Sequence, residues 1–305
     1  IGRDAILAEL HARFHQPQCE QATLVTLLGT GGSGKTSIAR ALHQSWGDES
    51  VWIELSSETT EDGLGRRVLG ALGLPQGAAS EDHLKLERFL KSTSVIRIFD
   101  NCEQLIPNGA KWLGKLLELG PHVRVLATSQ REFALEGEYA LPVQPLELPS
   151  PSEAMDTLSE FPAAALYLRE ATRNNQRFEL TAGNAGAIAK LCRQLDGLPL
   201  ALSLAGARTL THSPMQILEN LANPKYLRRG PHAEQTKHSS LDLTIRWSVD
   251  LLSADAAAVG RACSLILGSF TVDEAEALCP DYDVAFALEE LAAVSLLQSN
   301  VKHEV

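Results

Sequence analysis

Residues 29–36 read GTGGSGKT, and their neighbours decide how they fold. Ahead of them lies ATLVTLL (Ala22 to Leu28), a short apolar and β-branched run that predicts a buried strand. Behind them Ile38, Leu42 and Trp46 recur at i, i+4 and i+8, the spacing of one apolar helix face. Strand, glycine-rich loop and helix together form the setting in which the pattern G-x-x-x-x-G-K-[ST] binds phosphate. Glycines at 29, 31, 32 and 34 permit positive φ and let successive N–H groups turn inward, so the loop and the helix N-terminus surround the phosphates. Lys35 then reaches the β- and γ-phosphates, and the Thr36 hydroxyl coordinates Mg2+. The expected phosphate-binding set is Gly29, Gly31, Gly32, Ser33, Gly34, Lys35, Thr36 and Ser37, and the ligand is a nucleoside triphosphate.

Outward from this loop, strand and helix signals alternate. Strands are expected at 51–55 (VWIEL), 95–99 (VIRIF), 123–127 (VRVLA) and 139–143, with helices at 64–72, 82–91 and 111–119 between them. This alternation predicts an α/β P-loop NTPase fold, a parallel sheet with helices on both faces. Two strands end in polar residues, Asp100 and the pair Thr128 and Ser129, at the edge where open α/β sheets bind ligand. Asp100 is the candidate to hold Mg2+ through water; a helix N-cap is its alternative role. Arg97 is an unexpected residue inside its strand. Pro142, Pro145, Pro149 and Pro151 mark a boundary, giving a nucleotide-binding domain over 1–149.

From Pro162 the pattern turns helical, with helices expected at 163–172, 185–195, 200–209 and 215–221 and a small helical domain over 150–222. A polar, basic stretch at 223–238 contains Lys225, Arg228, Arg229 and Lys237; its reading is a solvated linker, with phosphate or nucleic acid as the alternative. Helices at 241–252, 254–267, 272–278 and 284–293, followed by a short strand at 295–298, suit a winged-helix domain over 223–305.

The chain has 305 residues, 44% of them hydrophobic, enough for two or three packed domains. Its net charge of −11 argues against general binding to nucleic acid or anionic membrane. No apolar run reaches bilayer-spanning length and no secretory leader opens the chain, so a cytoplasmic location is expected. The five cysteines are scattered, with no CxxC pair, which argues for reduced thiols. The absence of an initial methionine and the strand-like final run predict a module of something larger.

Six stretches stand in a recognisable order: IGRD (1–4), GTGGSGKT (29–36), FDNCEQL (99–105), ATSQRE (127–132), LDGLPLAL (195–202) and IRWSVDLLS (245–253). With them the chain resembles the STAND ATPases, NB-ARC-like switch modules, and most of all the branch found in bacterial LuxR-type and antibiotic-regulatory transcription regulators. The resemblance implies ATP or ADP with Mg2+ as ligands, and three domains: nucleotide-binding, small helical and winged-helix. It further implies that backbone groups of Ile1, Gly2 and Arg3 contact adenine and that Pro199 packs against base or ribose, although Pro199 also suits helix initiation. Asn101 stands where many relatives carry a second acid, and an amide cannot accept the attacking water's proton. Glu103 is the nearest substitute, with a surface residue as its other reading, and slow hydrolysis is expected. Gln130 occupies a γ-phosphate sensor position often held by arginine, with Arg131 next to it. His303 does not match the family's C-terminal histidine motif.

His11, His15 and Cys19 have metal-like spacing, but Pro17 breaks the helix and no fourth ligand follows. Cys102 adjoins the Asp100 segment, where a small buried thiol needs no special chemistry. Three functions compete. One is a switch held closed by ADP that self-associates with ATP, serving sensor and effector domains outside this chain. Another is a turnover-driven ATPase, which Asn101 and Gln130 disfavour. The last is a nucleic-acid binder using the winged helix. From Ala262 to Val301 there is no Lys or Arg among several Asp and Glu, so no direct nucleic-acid contact is expected there.

Overall fold

Strands buried on both faces need continuous apolar runs, and LVTLL, IRIFD and RVLATS supply them at the centre of the sheet. The computed structural model describes residues 1–15, 23–54, 61–77, 79–102, 108–119, 123–150, 155–221, 245, 249, 252–266, 269–293 and 296–297. The chain divides into two units, one spanning Arg3–Gln144 and the other comprising Ile1–Gly2 and Pro145–Val305.

The Arg3–Gln144 unit runs α1 (Asp4–His15), β1 (Leu24–Leu28), α2 (Lys35–Trp46), β2 (Ser50–Glu54), α3 (Glu61–Ala71), α4 (Ala79–Ser92), β3 (Ile96–Asp100), α5 (Asn108–Leu117), β4 (Arg124–Ser129) and β5 (Glu138–Pro142). Among the described residues its five strands are all parallel, in the order β2-β3-β4-β1-β5. Successive side chains of a strand point to opposite faces, and the two cores follow that alternation. Leu24, Ile53, Phe99, Val125 and Ala127 pack with α3, α4 and α5. Val25, Leu27, Ile98, Leu126 and Leu141 pack on the other face with Leu10 and Phe14 of α1 and with Ile38, Leu42 and Trp46 of α2.

The expected alternation stands, with shifted edges. α2 begins at Lys35 rather than at 37, because Gly34 takes the left-handed conformation (φ 95°) that caps it. β5 begins one residue earlier than expected. Arg97 does lie within β3 and is fully buried. It alternates with Ile96 and Ile98, so it faces the α3–α5 side, where Nη2 donates to Thr93 O at 3.4 Å. Burial first, and then the neighbouring Arg124, lower its pKa to about 10.

In the other unit the described elements are helices: α6 (Met155–Leu158), α7 (Pro162–Asn174), α8 (Ala182–Gln194), α9 (Pro199–Ala207), α10 (Pro214–Leu221), α11 (Ala254–Cys263), α12 (Val272–Leu278) and α13 (Val284–Ala293). Tyr167, Ile188, Leu191, Cys192, Leu202 and Leu221 centre one core. Gly206 lets α7 and α9 approach closely, since a Cβ there would lie 2.8 Å from Glu170 Cβ and 2.9 Å from Tyr167 O. Helices α11 to α13 enclose a smaller core around Val259, Ala275 and Ala287. The expected helix at 254–267 stops at Cys263 and gives way to a turn. The stretch at 223–238, most of the expected helix at 241–252, His303 and the ends of the expected strand at 295–298 lie outside the described residues; Leu296 and Leu297 form a bend. No helix among the described residues is long and apolar enough to cross a membrane.

Candidate functional site

β1 delivers the GTGGSGKT loop at the carboxyl edge of the sheet, and Gly29 N–H donates to Ser129 O at 3.3 Å, tying the loop to the end of β4. The backbone explains Gly29, Gly32 and Gly34, whereas Gly31 has neither a positive φ nor, among the described residues, an atom within 4 Å of a Cβ placed there. Gly32 and Gly34 have φ of 77° and 95°, and a Cβ on Gly29 would lie 2.7 Å from Ser33 Oγ and 3.2 Å from Val143 O. Lys35 Nζ donates to Gly29 O at 2.8 Å and Thr30 O at 3.0 Å, so its ammonium is already held inside the loop. Ser33 Oγ is buried and has no hydrogen-bond partner among the described residues.

Asp100 ends β3 on the α2 face, the same face to which Thr128 projects from β4. Thr36 Oγ1 donates to Asp100 Oδ1 at 2.9 Å, and Thr128 Oγ1 donates to the same oxygen at 2.6 Å. Thr128 Oγ1 also accepts from the backbone N–H of Asn101 at 2.9 Å, and Asn101 is left-handed with φ 64°. Asn is among the residues that tolerate this conformation. Asp100 is therefore the end of a strand and not a helix cap.

These residues fit a Mg2+-bound nucleotide phosphate. The loop supplies N–H groups, an ammonium and a buried free hydroxyl, while Thr36 and Asp100 present hard oxygen donors side by side. Bound there, Mg2+ would be held by Thr36 and by Asp100 and would neutralise phosphate charge.

The other predicted residues are distributed as follows. Ser37 lies exposed in the first turn of α2, and Gln130 and Arg131 are exposed just beyond β4, where Arg131 N–H donates to Ser129 Oγ at 3.1 Å. Ile1, Gly2 and Pro199 belong to the second unit. A Cβ on Gly2 (φ 62°) would lie 2.4 Å from Pro162 Cβ, so only glycine fits there. Pro199 opens α9 in its first turn, the helix-initiating position. Glu103 lies outside the described residues. Cys102 points into the α3–α5 core, its Sγ donating to Phe99 O at 3.3 Å, and so turns away from the Asp100 carboxylate. His11 Nδ1 accepts from Trp46 Nε1 at 3.1 Å and His15 Nε2 meets Glu49 Oε2 at 2.9 Å. Among the described residues no group of three or more His, Cys, Asp or Glu is placed to hold a metal; Cys19 lies outside them.

Sequence reasoning named Thr128 only as a polar strand end and missed its double hydrogen bond. It also missed the Arg3 side chain, whose Nη1 donates to Gln144 O at 2.7 Å and Nη2 to Ser33 O at 3.0 Å. Burial lowers the Arg3 pKa from its usual value. A polar residue beside a strand-end aspartate is a usable signal for Thr128. For Arg3 no local signal exists, because its acceptors are backbone groups distant in sequence.

The parallel sheet, the glycine loop and the strand-end carboxylate define a P-loop ATPase domain. A family model described as an AAA domain matches residues 18–133. An uncharacterized protein of Mycobacterium tuberculosis is 31% identical over 283 residues, 91% of this chain and 68% of that protein. A second M. tuberculosis protein, named as a candidate HTH-type transcriptional regulator, is 28% identical over 267 residues, and these span 87% of this chain but 29% of that protein. The crystal structure of a STAND (signal transduction ATPase with numerous domains) protein with a tetratricopeptide repeat sensor, from Pyrococcus horikoshii, matches with a TM-score of 0.56 at 14% identity. That match covers 98% of this chain and 40% of the other and shows a shared fold. The chain belongs to one family with the 31%-identical M. tuberculosis protein, and residues 18–133 form its P-loop ATPase domain.

Proposed function

We propose that this chain is the nucleotide-operated switch of a larger signalling or transcription-regulatory protein. ADP holds it closed, exchange for ATP opens it toward self-association, and slow hydrolysis resets it. In this reading residues 1–149 bind nucleotide, 150–222 form a small helical domain and 223–305 a winged-helix domain that meets protein rather than nucleic acid, in the cytoplasm. Lys35 reaches the phosphates, Thr36 and Asp100 hold Mg2+, and the backbone of Ile1, Gly2 and Arg3 together with Pro199 surrounds adenine. Gln130 stands at the γ-phosphate sensor position in place of the arginine of relatives, with Arg131 beside it among the nucleotide-binding residues, and Glu103 is the residue left to activate water.

Asn101 carries the preference for a switch over a turnover-driven ATPase. Its amide accepts no proton, and its left-handed backbone and its N–H bond to Thr128 account for the residue without any catalytic role. Denaturing the purified protein and identifying the released nucleotide tests the proposal. Stoichiometric ADP together with turnover far below one per second supports a switch; an empty site with turnover near the median enzyme rate of about 10 per second refutes it.

A further inference from the structure

We infer that the Arg3 side chain is a positioning residue of the phosphate site, acting through the Ser33–Gly34 peptide. This rests on the nucleotide-binding reading above and differs from a backbone contact to adenine. A trans peptide is planar, with its C=O and N–H pointing in opposite directions. The carbonyl of Ser33 and the N–H of Gly34 belong to one such plane, so fixing the carbonyl fixes the N–H. Arg3 Nη2 holds that carbonyl at 3.0 Å. The Gly34 N–H is thereby turned inward, where it joins the donors that face a phosphate.

The guanidinium is itself anchored. Its other nitrogen, Nη1, donates to Gln144 O at 2.7 Å, and the segment just before Gln144 is fixed because Val143 N–H donates to Leu28 O at 2.6 Å. The same segment sets the room at the start of the loop, where the Gly29 Cβ position is 3.2 Å from Val143 O. Arg3 therefore spans two backbone carbonyls, one on a strand exit and one on the loop. A planar fork with fixed donor directions can do this; a lysine ammonium on a flexible stem cannot hold both in the same geometry. Gly34 needs the help, because its left-handed φ of 95° is open to many alternatives in a residue without Cβ.

The experiment compares the whole chain with Arg3→Met and Arg3→Lys, using local amide hydrogen exchange without ligand and calorimetric titration with ADP and with adenosine. Arg3→Met is expected to speed exchange in the Gly29–Lys35 stretch while the β3 and β4 amides keep their protection. It is also expected to weaken ADP binding about 10- to 100-fold, the range for losing a charge-assisted hydrogen bond. Adenosine, which carries no phosphate, is expected to change less than twofold, and Arg3→Lys to recover only part of the ADP loss. Unchanged ADP affinity overturns the inference, as does an equal loss for ADP and adenosine, or faster exchange spread over the whole sheet. If Arg3→Met does not fold, Arg3→Lys is read by the same criteria. Failure of the unaltered chain to bind ADP refutes the nucleotide reading itself and is distinguishable from all of these.

Discussion

Thr128 and Asp100 face each other across neighbouring strands, and the 2.6 Å bond from hydroxyl to carboxylate is half of what Thr128 does. The other half is to accept the Asn101 N–H, so one side-chain oxygen fixes both the Asp100 carboxylate and the backbone that follows it. Thr128→Val keeps the shape and removes both bonds. It is expected to cost about 1 kcal/mol or more, because a part-buried N–H loses its acceptor, and to reduce the gain in ADP affinity that Mg2+ provides. Chemical denaturation and calorimetry with and without Mg2+ measure the two effects, and an unchanged Mg2+ dependence counts against this role.

Asp100→Asn is expected to flatten the Mg2+ dependence while leaving metal-free ADP binding within a few fold. Its partners Thr36 and Thr128 are hydroxyls that an amide oxygen also accepts from, so folding is preserved. Equal losses with and without metal show that Asp100 does not serve the cation.

Lys35→Ala removes an ammonium that now bonds Gly29 O and Thr30 O. Affinity for Mg-ATP is expected to fall by about 100-fold or more, roughly 2.7 kcal/mol, because the phosphate charge loses its side-chain counterion. Titration calorimetry reads it directly, and retained affinity displaces the site from this loop.

Gly197→Ala is expected to destabilise the second unit by more than about 2 kcal/mol. A left-handed backbone alone costs a residue with Cβ about 1–2 kcal/mol, and here the new Cβ would also meet Leu146 O at 2.4 Å. Urea midpoints at constant m-value measure the loss.

Burial raises the Cys192 thiol from an ordinary value of 9.0 to about 12. The neutral form is thus favoured in the folded chain, and this contribution is complete below the unfolded value and is lost as pH rises from about 9 toward about 12. Thiol reagents at pH 8 are expected to label Cys192 far more slowly in the native than in the denatured protein. Equal labelling rates contradict its burial.

What was legible in the sequence follows from what is local. GTGGSGKT, the apolar strand runs and Asp100 each carry their signal within a few residues, and sheet and loop appear where those signals place them. The strand order was not legible, since adjacency of β1 to β4 and β5 depends on packing between distant segments. α1 was visible only through the His11 and His15 spacing, and Arg97 looked foreign to a strand because its burial depends on neighbours outside β3. LDGLPLAL shows a further limit. Its glycine is explained by the end of α8, where Gly197 N–H donates to Cys192 O at 3.1 Å and Gly197 O accepts from Leu146 N–H at 2.9 Å. Its proline opens α9. The sequence presented the motif without showing this turn.

The place of β1 inside the sheet also limits how the protein can be cut. A fragment trimmed to the chemistry, from just before β1 to just after β4, would keep Lys35, Asp100 and Thr128 and still be a poor solute. It would lose β5, turning β1 from an interior strand into an open edge that invites pairing with another molecule. It would also lose Leu10 and Phe14 of α1, both fully buried, and so bare an oily floor under α2. At about 1.5–3 kcal/mol per buried side chain, those two alone amount to about 3–6 kcal/mol, comparable with the whole stability of many small domains. The smallest soluble piece of this protein is therefore larger than its active motif, and expression trials that begin after His15 or stop before Pro142 are expected to yield aggregate.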